Sequence, residues 1–309
     1  YVFHYDLESP ERCVEAAPVL TDLHRERGLP ATFFLLGRVL EQKAAELKAI
    51  FGDDPLFDLQ SHTWTHRMLR DNVMHGAGVG LDDLRQEIRV GRQLVEDTFE
   101  RPCVGVRTGC GFFRGFQGER ERLAIIWEEG ARFFSSDLRG PADSIPSGLQ
   151  QAYWYDEEGF PELLELPGHG WHDNVLKDPS GTAHHWLCMA WPPVVPWGIP
   201  NRPTRTPEEE IVVQRAWIDQ AVAQNLDYVS LVYHPHSILS LSPDCRIIKL
   251  LMDHVEERGL PTTTYHGLYE RYSIVPGSVP GREAWRWGTA EDEPLRLPGA
   301  AEPSMPARW

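Results

Sequence analysis

No apolar run in this 309-residue chain approaches the ~20 residues that a bilayer-spanning helix requires. Positive charge is also short: 30 Lys and Arg stand against 46 Asp and Glu, a formal net charge of −16. Such a surface repels phosphate backbones, so nucleic acid is not an expected partner. It says little about a neutral sugar or amide. Cysteine is scarce, with Cys13, Cys103, Cys110, Cys188 and Cys245 widely spaced and no CxxC among them. That argues against a disulfide framework and fits a reducing compartment, so the cytoplasm is expected before the exterior. No internal repeat is visible. The chain starts at Tyr1 without Met, so the lack of a leader carries no weight.

Hydrophobic residues make 41% of the chain, enough for one large α/β domain or two small ones. Strand-like runs alternate with helix-like runs, as in parallel βαβ units. The strand-like runs are Val2–Asp6, Ala31–Leu36, Leu56–Gln60, Val104–Thr108, Arg132–Ser136, Leu163–Leu166, Tyr228–His234 and Thr262–Tyr265. Leu81–Phe99 carries apolar residues near 3.6 spacing and predicts a helix. Glu208–Gln224 follows Thr206 and Pro207, with Glu209 placed for a capping box. Pro243–Arg258 follows Ser242 and stops at Gly259. Between residues 169 and 207 no element is signalled, but four Trp and several His suggest an ordered lid that sets substrate choice. Residues 273–309, rich in Pro and Gly, form an arm expected to pack on the barrel or a neighbouring subunit.

Several side chains invite chemistry. His62 and His66 lie four apart in Ser61-His62-Thr63-Trp64-Thr65-His66. On a helical turn that spacing stacks two imidazoles on one face, where they can share a metal ion; a chance surface pair is the bland alternative. Asp6 and Glu8 alternate onto one side at the end of the first strand-like run. One carboxylate can complete a metal triad with the two His, and the other can deprotonate water. Two imidazoles, one carboxylate and open positions suit Zn²⁺ first, with Fe, Co and Ni as the other suited ions. Arg107 ends a strand-like run and leads into Thr108-Gly109-Cys110-Gly111, a turn able to offer N–H groups to an oxyanion. Cys110 reads as a packed thiol sooner than a nucleophile. Asp137 is either a helix cap or a site carboxylate. His234 or His236 can serve as general acid. His169, Trp171 and His172 follow the sixth strand-like run and are expected to touch substrate.

SHTWTH closely resembles the His motif of the polysaccharide deacetylases, the NodB-homology group also called carbohydrate esterase family 4. Leu29-Pro30-Ala31-Thr32-Phe33-Phe34-Leu35-Leu36-Gly37 resembles that family's second strand. Val104-Gly105-Val106-Arg107 resembles its arginine motif, Ser135-Ser136-Asp137 its fourth, and Leu231-Val232-Tyr233-His234 its Leu-x-His motif. The resemblance implies a distorted (β/α) barrel, seven-stranded, over residues 1–272, with the site at the C-terminal strand ends. It also implies Asp6 as base, Glu8, His62 and His66 as metal ligands, Arg107 orienting Asp6, Asp137 supporting the site, and His234 as acid. Substrate contacts would fall to Gly109, Cys110, His169, Trp171, His172 and His236. The family often has Asp-Asp where this chain has Asp6-Leu7-Glu8, which leaves Asp6 open as the ligand, and a Pro where this chain has Gly109.

The expected function is hydrolysis of an acyl group, acetyl first, from an amine of a sugar or sugar-like molecule by a metal-bound water. One rival is a non-sugar C–N hydrolase of the same fold, allantoinase-like or a cyclic amidase. Another is a glycan-binding module with a decayed site. Besides the small-molecule or glycan amide, the expected partner is a second copy of the chain, met through the C-terminal arm.

Overall fold

The computed structural model of the protein describes residues 1–73, 75–140, 143, 146–170 and 204–274. Its frame is a seven-stranded sheet. Strands β1 (Phe3–Leu7), β2 (Ala31–Leu35), β3 (Phe57–Ser61), β4 (Gly105–Phe112) and β5 (Phe133–Asp137) run parallel in chain order. Next to β5 comes parallel β7 (Phe160–Glu165), and β6 (Tyr153–Tyr155) lies antiparallel beyond it. Helices α1 (Pro10–Arg27), α2 (Gly37–Phe51), α3 (Leu81–Phe99) and α4 (Arg120–Glu128) form the crossovers between the parallel strands. Strands β1 and β2 are buried on both faces; β2 reads accordingly as a nearly continuous apolar run, whereas β1 alternates apolar residues with buried His4 and Asp6.

The sheet closes on itself through residues 229–233, which form no regular strand. Val2 N–H donates to Val229 C=O at 3.0 Å and Asp6 N–H to Tyr233 C=O at 2.9 Å. On the other side His169 N–H donates to Ser230 C=O at 2.8 Å. The sequence predicts full strands at 228–234 and 262–265; the structure replaces them with these bridges and one between Val2 and Thr263. The reason at 234 is Pro235, which cannot donate to a ladder and instead opens α6 (Pro235–Leu241) with His234 as its N-cap. Helices α5 (Pro207–Ala223) and α7 (Arg246–Glu257) pack on each other, and α8 (Tyr265–Ile274) starts beneath the barrel. There Tyr265 N–H donates to Thr32 Oγ1, and His266 N–H to Asp58 Oδ2. The expected helix over 243–258 is shorter at its start because Cys245 is left-handed.

Inward-pointing residues of β1 and outward ones separate cleanly. Phe3, Tyr5 and Leu7 join Cys13, Ala16, Ala17 and Leu20 of α1 in the main core. His4 and Asp6 face the barrel interior, which Phe34, Phe133 and Tyr265 fill from below. Gly105 is needed there, since a Cβ on it would lie 2.0 Å from the Phe133 ring. Most of the region 169–207, including Trp171 and His172, and nearly all of the arm 273–309 lie outside the described residues.

Candidate active site

Glu8 follows β1 and His62 follows β3, so both stand at the C-terminal end of the barrel. His62 Nε2 and His66 Nε2 each lie 2.9 Å from the same atom, Glu8 Oε1. His234 Nε2 comes to 3.3 Å from it and to 3.9 Å from Asp6 Oδ2. Arg107 Nη1 is 3.9 Å from Asp6 Oδ2 on the inner side. Six residues read as site residues in the sequence are therefore gathered in one cluster, His62, His66, Arg107 and His234 around the carboxylates of Asp6 and Glu8.

The His pair does not converge as a helical i,i+4 pair. Residues 62–66 form an irregular loop in which Thr63 and His66 both take left-handed φ of 65°. The loop is braced from several sides. Gly37 and Arg38 N–H groups at the start of α2 donate to Thr63 and Trp64 C=O, both at 2.9 Å. Glu87 of α3 accepts from Thr65 N–H at 2.8 Å and from its hydroxyl. Trp64 Nε1 donates to Glu41 at 2.8 Å. Gly91 lets α3 come close, because a Cβ there would lie 2.5 Å from the Thr63 carbonyl carbon. On the strand side, a Cβ on Gly109 would sit 2.9 Å from His66 Nδ1. The Gly at this position makes room for the imidazole.

The donor set suits a divalent cation. His62 Nδ1 lies 3.2 Å from Arg107 C=O. Donating there fixes the tautomer and leaves Nε2 with its lone pair free for a ligand role. The ligand atoms of Glu8, His62 and His66 lie within 4.8 Å of one another, as do those of Asp6, Glu8 and His234. Bonds of ~2.1 Å at tetrahedral angles put ligand atoms about 3.4 Å apart, so the 2.9 Å contacts need open by only about half an ångström to seat an ion. Burial works to raise the Glu8 carboxyl, yet the charges of His66 and His234 and hydrogen bonds from His234 and His62 hold it well below the usual carboxylate range. Burial likewise works to lower His66, but Glu8 raises it above an ordinary imidazole.

Other expected site residues fall elsewhere. His169 is fully buried, with Nδ1 accepting from Ser230 N–H and Nε2 2.8 Å from Gln150 C=O. Both ring nitrogens are used, and burial pushes its pKa down to about 4. It is a structural link to the closing segment, not a substrate contact. The Asp137 carboxylate accepts from Arg114 N–H, Gln150 Nε2 and Tyr153 hydroxyl. It ties β5 to the loop after β4 and to β6, and among the described residues it bonds none of the cluster around Glu8. Cys110 is half-buried with a left-handed φ of 64°, and burial pushes its thiol up to about 11. The His236 ring lies beside His234, centroids 5.2 Å apart. Sequence reasoning missed Glu87, Ser230 and Tyr265. Glu87 was detectable as an acid on the buried face of an amphipathic helix; the other two carry no local signal.

The family model for polysaccharide deacetylases matches residues 5–114, which include Asp6, Glu8, His62, His66, Arg107, Gly109 and Cys110. No curated protein matches the chain in sequence. Among solved structures, one from Mycobacterium smegmatis assigned to the polysaccharide deacetylases is 16% identical at a TM-score of 0.59, over 93% of this chain and 94% of that one. An allantoinase is 12% identical at 0.54, over 87% of this chain and 76% of its own. A carbohydrate esterase family 4 pseudoenzyme of Bacillus anthracis is 12% identical at 0.50, over 87% of this chain. The present chain spans 64% of that protein, less than two thirds. At such identities the likeness establishes the fold, an α/β barrel of NodB type.

Proposed function

Residues 5–114 match the family model for polysaccharide deacetylases, and from that match and the site's geometry we propose that the chain is a metal-dependent hydrolase of amide C–N bonds. It removes an acyl group, acetyl foremost, from an amine of a sugar or sugar-like molecule. The observation that carries this reading is the meeting of His62 and His66 Nε2 on Glu8 Oε1, both at 2.9 Å, with Asp6 and His234 beside it.

Glu8, His62 and His66 would hold one divalent ion, zinc foremost. Bound there, the ion supplies Lewis acidity to the scissile carbonyl and to water. Asp6 takes the proton of the attacking water, and Arg107 holds that carboxylate in orientation from the barrel side. Backbone N–H groups near Gly109 and Cys110 face the developing oxyanion. His234, whose Nε2 lies 3.3 Å from Glu8 Oε1 and 3.9 Å from Asp6 Oδ2, gives its proton to the departing nitrogen, releasing a carboxylic acid and a free amine.

A second reading, a C–N hydrolase acting on a non-sugar amide, draws on the Asp6-Leu7-Glu8 spacing, since the family often has two adjacent Asp at this place. An allantoinase shares the fold. A binding module with a decayed site is disfavoured, because binding alone has no need of a His pair, two carboxylates, Arg107 and His234 in one cluster.

The test pairs metal analysis with two activity assays, acetate release from an N-acetylated chitooligosaccharide and ring opening of a cyclic ureide. Asp6→Asn is expected to keep zinc and lose roughly 10²–10⁴ in turnover, the usual share of a general base. Glu8→Gln is expected to lose zinc. The opposite pattern exchanges the two roles, and turnover of the ureide alone moves the substrate to the second reading.

A further inference from the structure

Arg107 is fully buried, yet its guanidinium makes a single hydrogen bond among the described residues. Nη2 donates to the Tyr265 hydroxyl at 2.8 Å. Nε and Nη1 have no hydrogen-bond partner there, and the approach to Asp6 is a loose 3.9 Å. A guanidinium carries five N–H donors, and burying a charge so poorly satisfied is costly unless its surroundings fix it. What fixes it comes from below. Its carbon lies 4.6 Å from the Phe34 ring centroid and 5.2 Å from that of Tyr265. The Tyr265 hydroxyl in turn donates to Ser230 Oγ at 3.0 Å, and Ser230 Oγ lies 2.7 Å from His4 Nδ1. His4 and Asp6 point into the same interior from β1. Tyr265 itself is seated by its N–H on Thr32 and packs edge-on to His4 and Phe34.

From this column we infer that Tyr265, the first residue of α8, is a positioning residue for the reaction. It acts through Arg107 on the orientation of Asp6, and Ser230 and His4 orient its hydroxyl. The inference rests on the reading of Asp6 as base and Arg107 as its orienting partner. It assigns α8, which among the described residues makes no hydrogen bond to Glu8, His62 or His66, a part in turnover.

Tyr265→Phe keeps the ring, and with it the packing and the face offered to the guanidinium, and removes only the hydroxyl that accepts from Arg107 and donates to Ser230. In the zinc-loaded protein, kcat for acetate release from an N-acetylated chitooligosaccharide is expected to fall roughly ten- to hundredfold, the worth of a hydrogen bond to a charged group. KM and zinc affinity should stay as in the parent, because no substrate or metal contact is touched. In an Arg107→Gln background the same change should add no further loss, since residues acting as one unit are not additive. A crystal structure of Tyr265→Phe should show Arg107 moved from its 3.9 Å approach to Asp6. Unchanged kcat, additive losses, or an unmoved Arg107 each overturn the inference. If the parent itself turns over no acetylated probe, the proposed function fails separately, and the position of Arg107 in the variant still decides.

Discussion

Glu8 Oε1 is the meeting point of three imidazoles, and its neighbours are arranged at the level of single atoms. Gly109 shows how tight the arrangement is. An alanine there would place its Cβ 2.9 Å from His66 Nδ1, closer than nonbonded carbon and nitrogen come. His66 cannot simply step back, since its own N–H is tied to Thr63 Oγ1 and the preceding Thr65 to Glu87. Gly109→Ala is therefore predicted to weaken zinc binding by roughly ten- to hundredfold, as disturbing a ligand's support does. Titration with zinc by calorimetry checks this; an affinity equal to the parent's would show that His66 does not depend on the glycine. The residue types of the site were legible from the sequence because strand ends and the HxxxH spacing bring chemistry together. The route was not. Left-handed Thr63 and His66 are set by contacts with α2 and α3, which the spacing of letters does not encode.

Elements were readable where a local rule was unopposed. Helix α3 begins and ends where its apolar spacing says. Helix α5 starts at Pro207 after Thr206, whose Oγ1 accepts from Glu209 N–H at 3.2 Å. Only half of the expected capping box forms, because the Glu209 carboxylate reaches back to Arg205 N–H and not to Thr206. Thr206→Ala is predicted to cost about 1 kcal/mol of stability, the usual worth of an N-cap. Denaturant unfolding would detect it, and no change in midpoint would mean that the Glu209–Arg205 bond alone caps the helix. Helix α1 escaped notice because Pro18 interrupts its interior, although Pro10 at its start and left-handed Gly28 at its end are proper signals. The closing segment 229–233 reads as a strand by composition, but its geometry is decided by partners more than fifty residues away, at 2, 6 and 169.

The whole molecule buries charge away from the site as well. Asp137 and Glu165 lie in the barrel wall, both fully buried, among Ser136, Tyr153, Tyr155 and Gln150. Burial, and then the neighbouring Glu165, push the Asp137 carboxyl from 3.8 to about 8. The folded protein thus holds that proton to higher pH than the unfolded chain does. Its stabilising contribution is complete below the ordinary carboxylate range and is lost as pH rises toward about 8. Asp137→Asn mimics the protonated form, so its stability relative to the parent should improve from pH 5 to about 8 and level off above it, as followed by thermal melts. A difference that does not change with pH would mean that Asp137 stays ionised in the fold. Parallel topology, the apolar strands and the barrel class were visible in the chain, whereas this polar wall depends on β6 and β7, whose pairing no local pattern announces.

The metal site is tested most directly by diffraction from zinc-soaked crystals recorded on both sides of the zinc absorption edge. One anomalous peak is predicted, about 2.0–2.2 Å from a Glu8 carboxylate oxygen and from Nε2 of His62 and of His66, with Asp6 near but unbonded. A peak elsewhere, or none in a protein that still releases acetate, would contradict it.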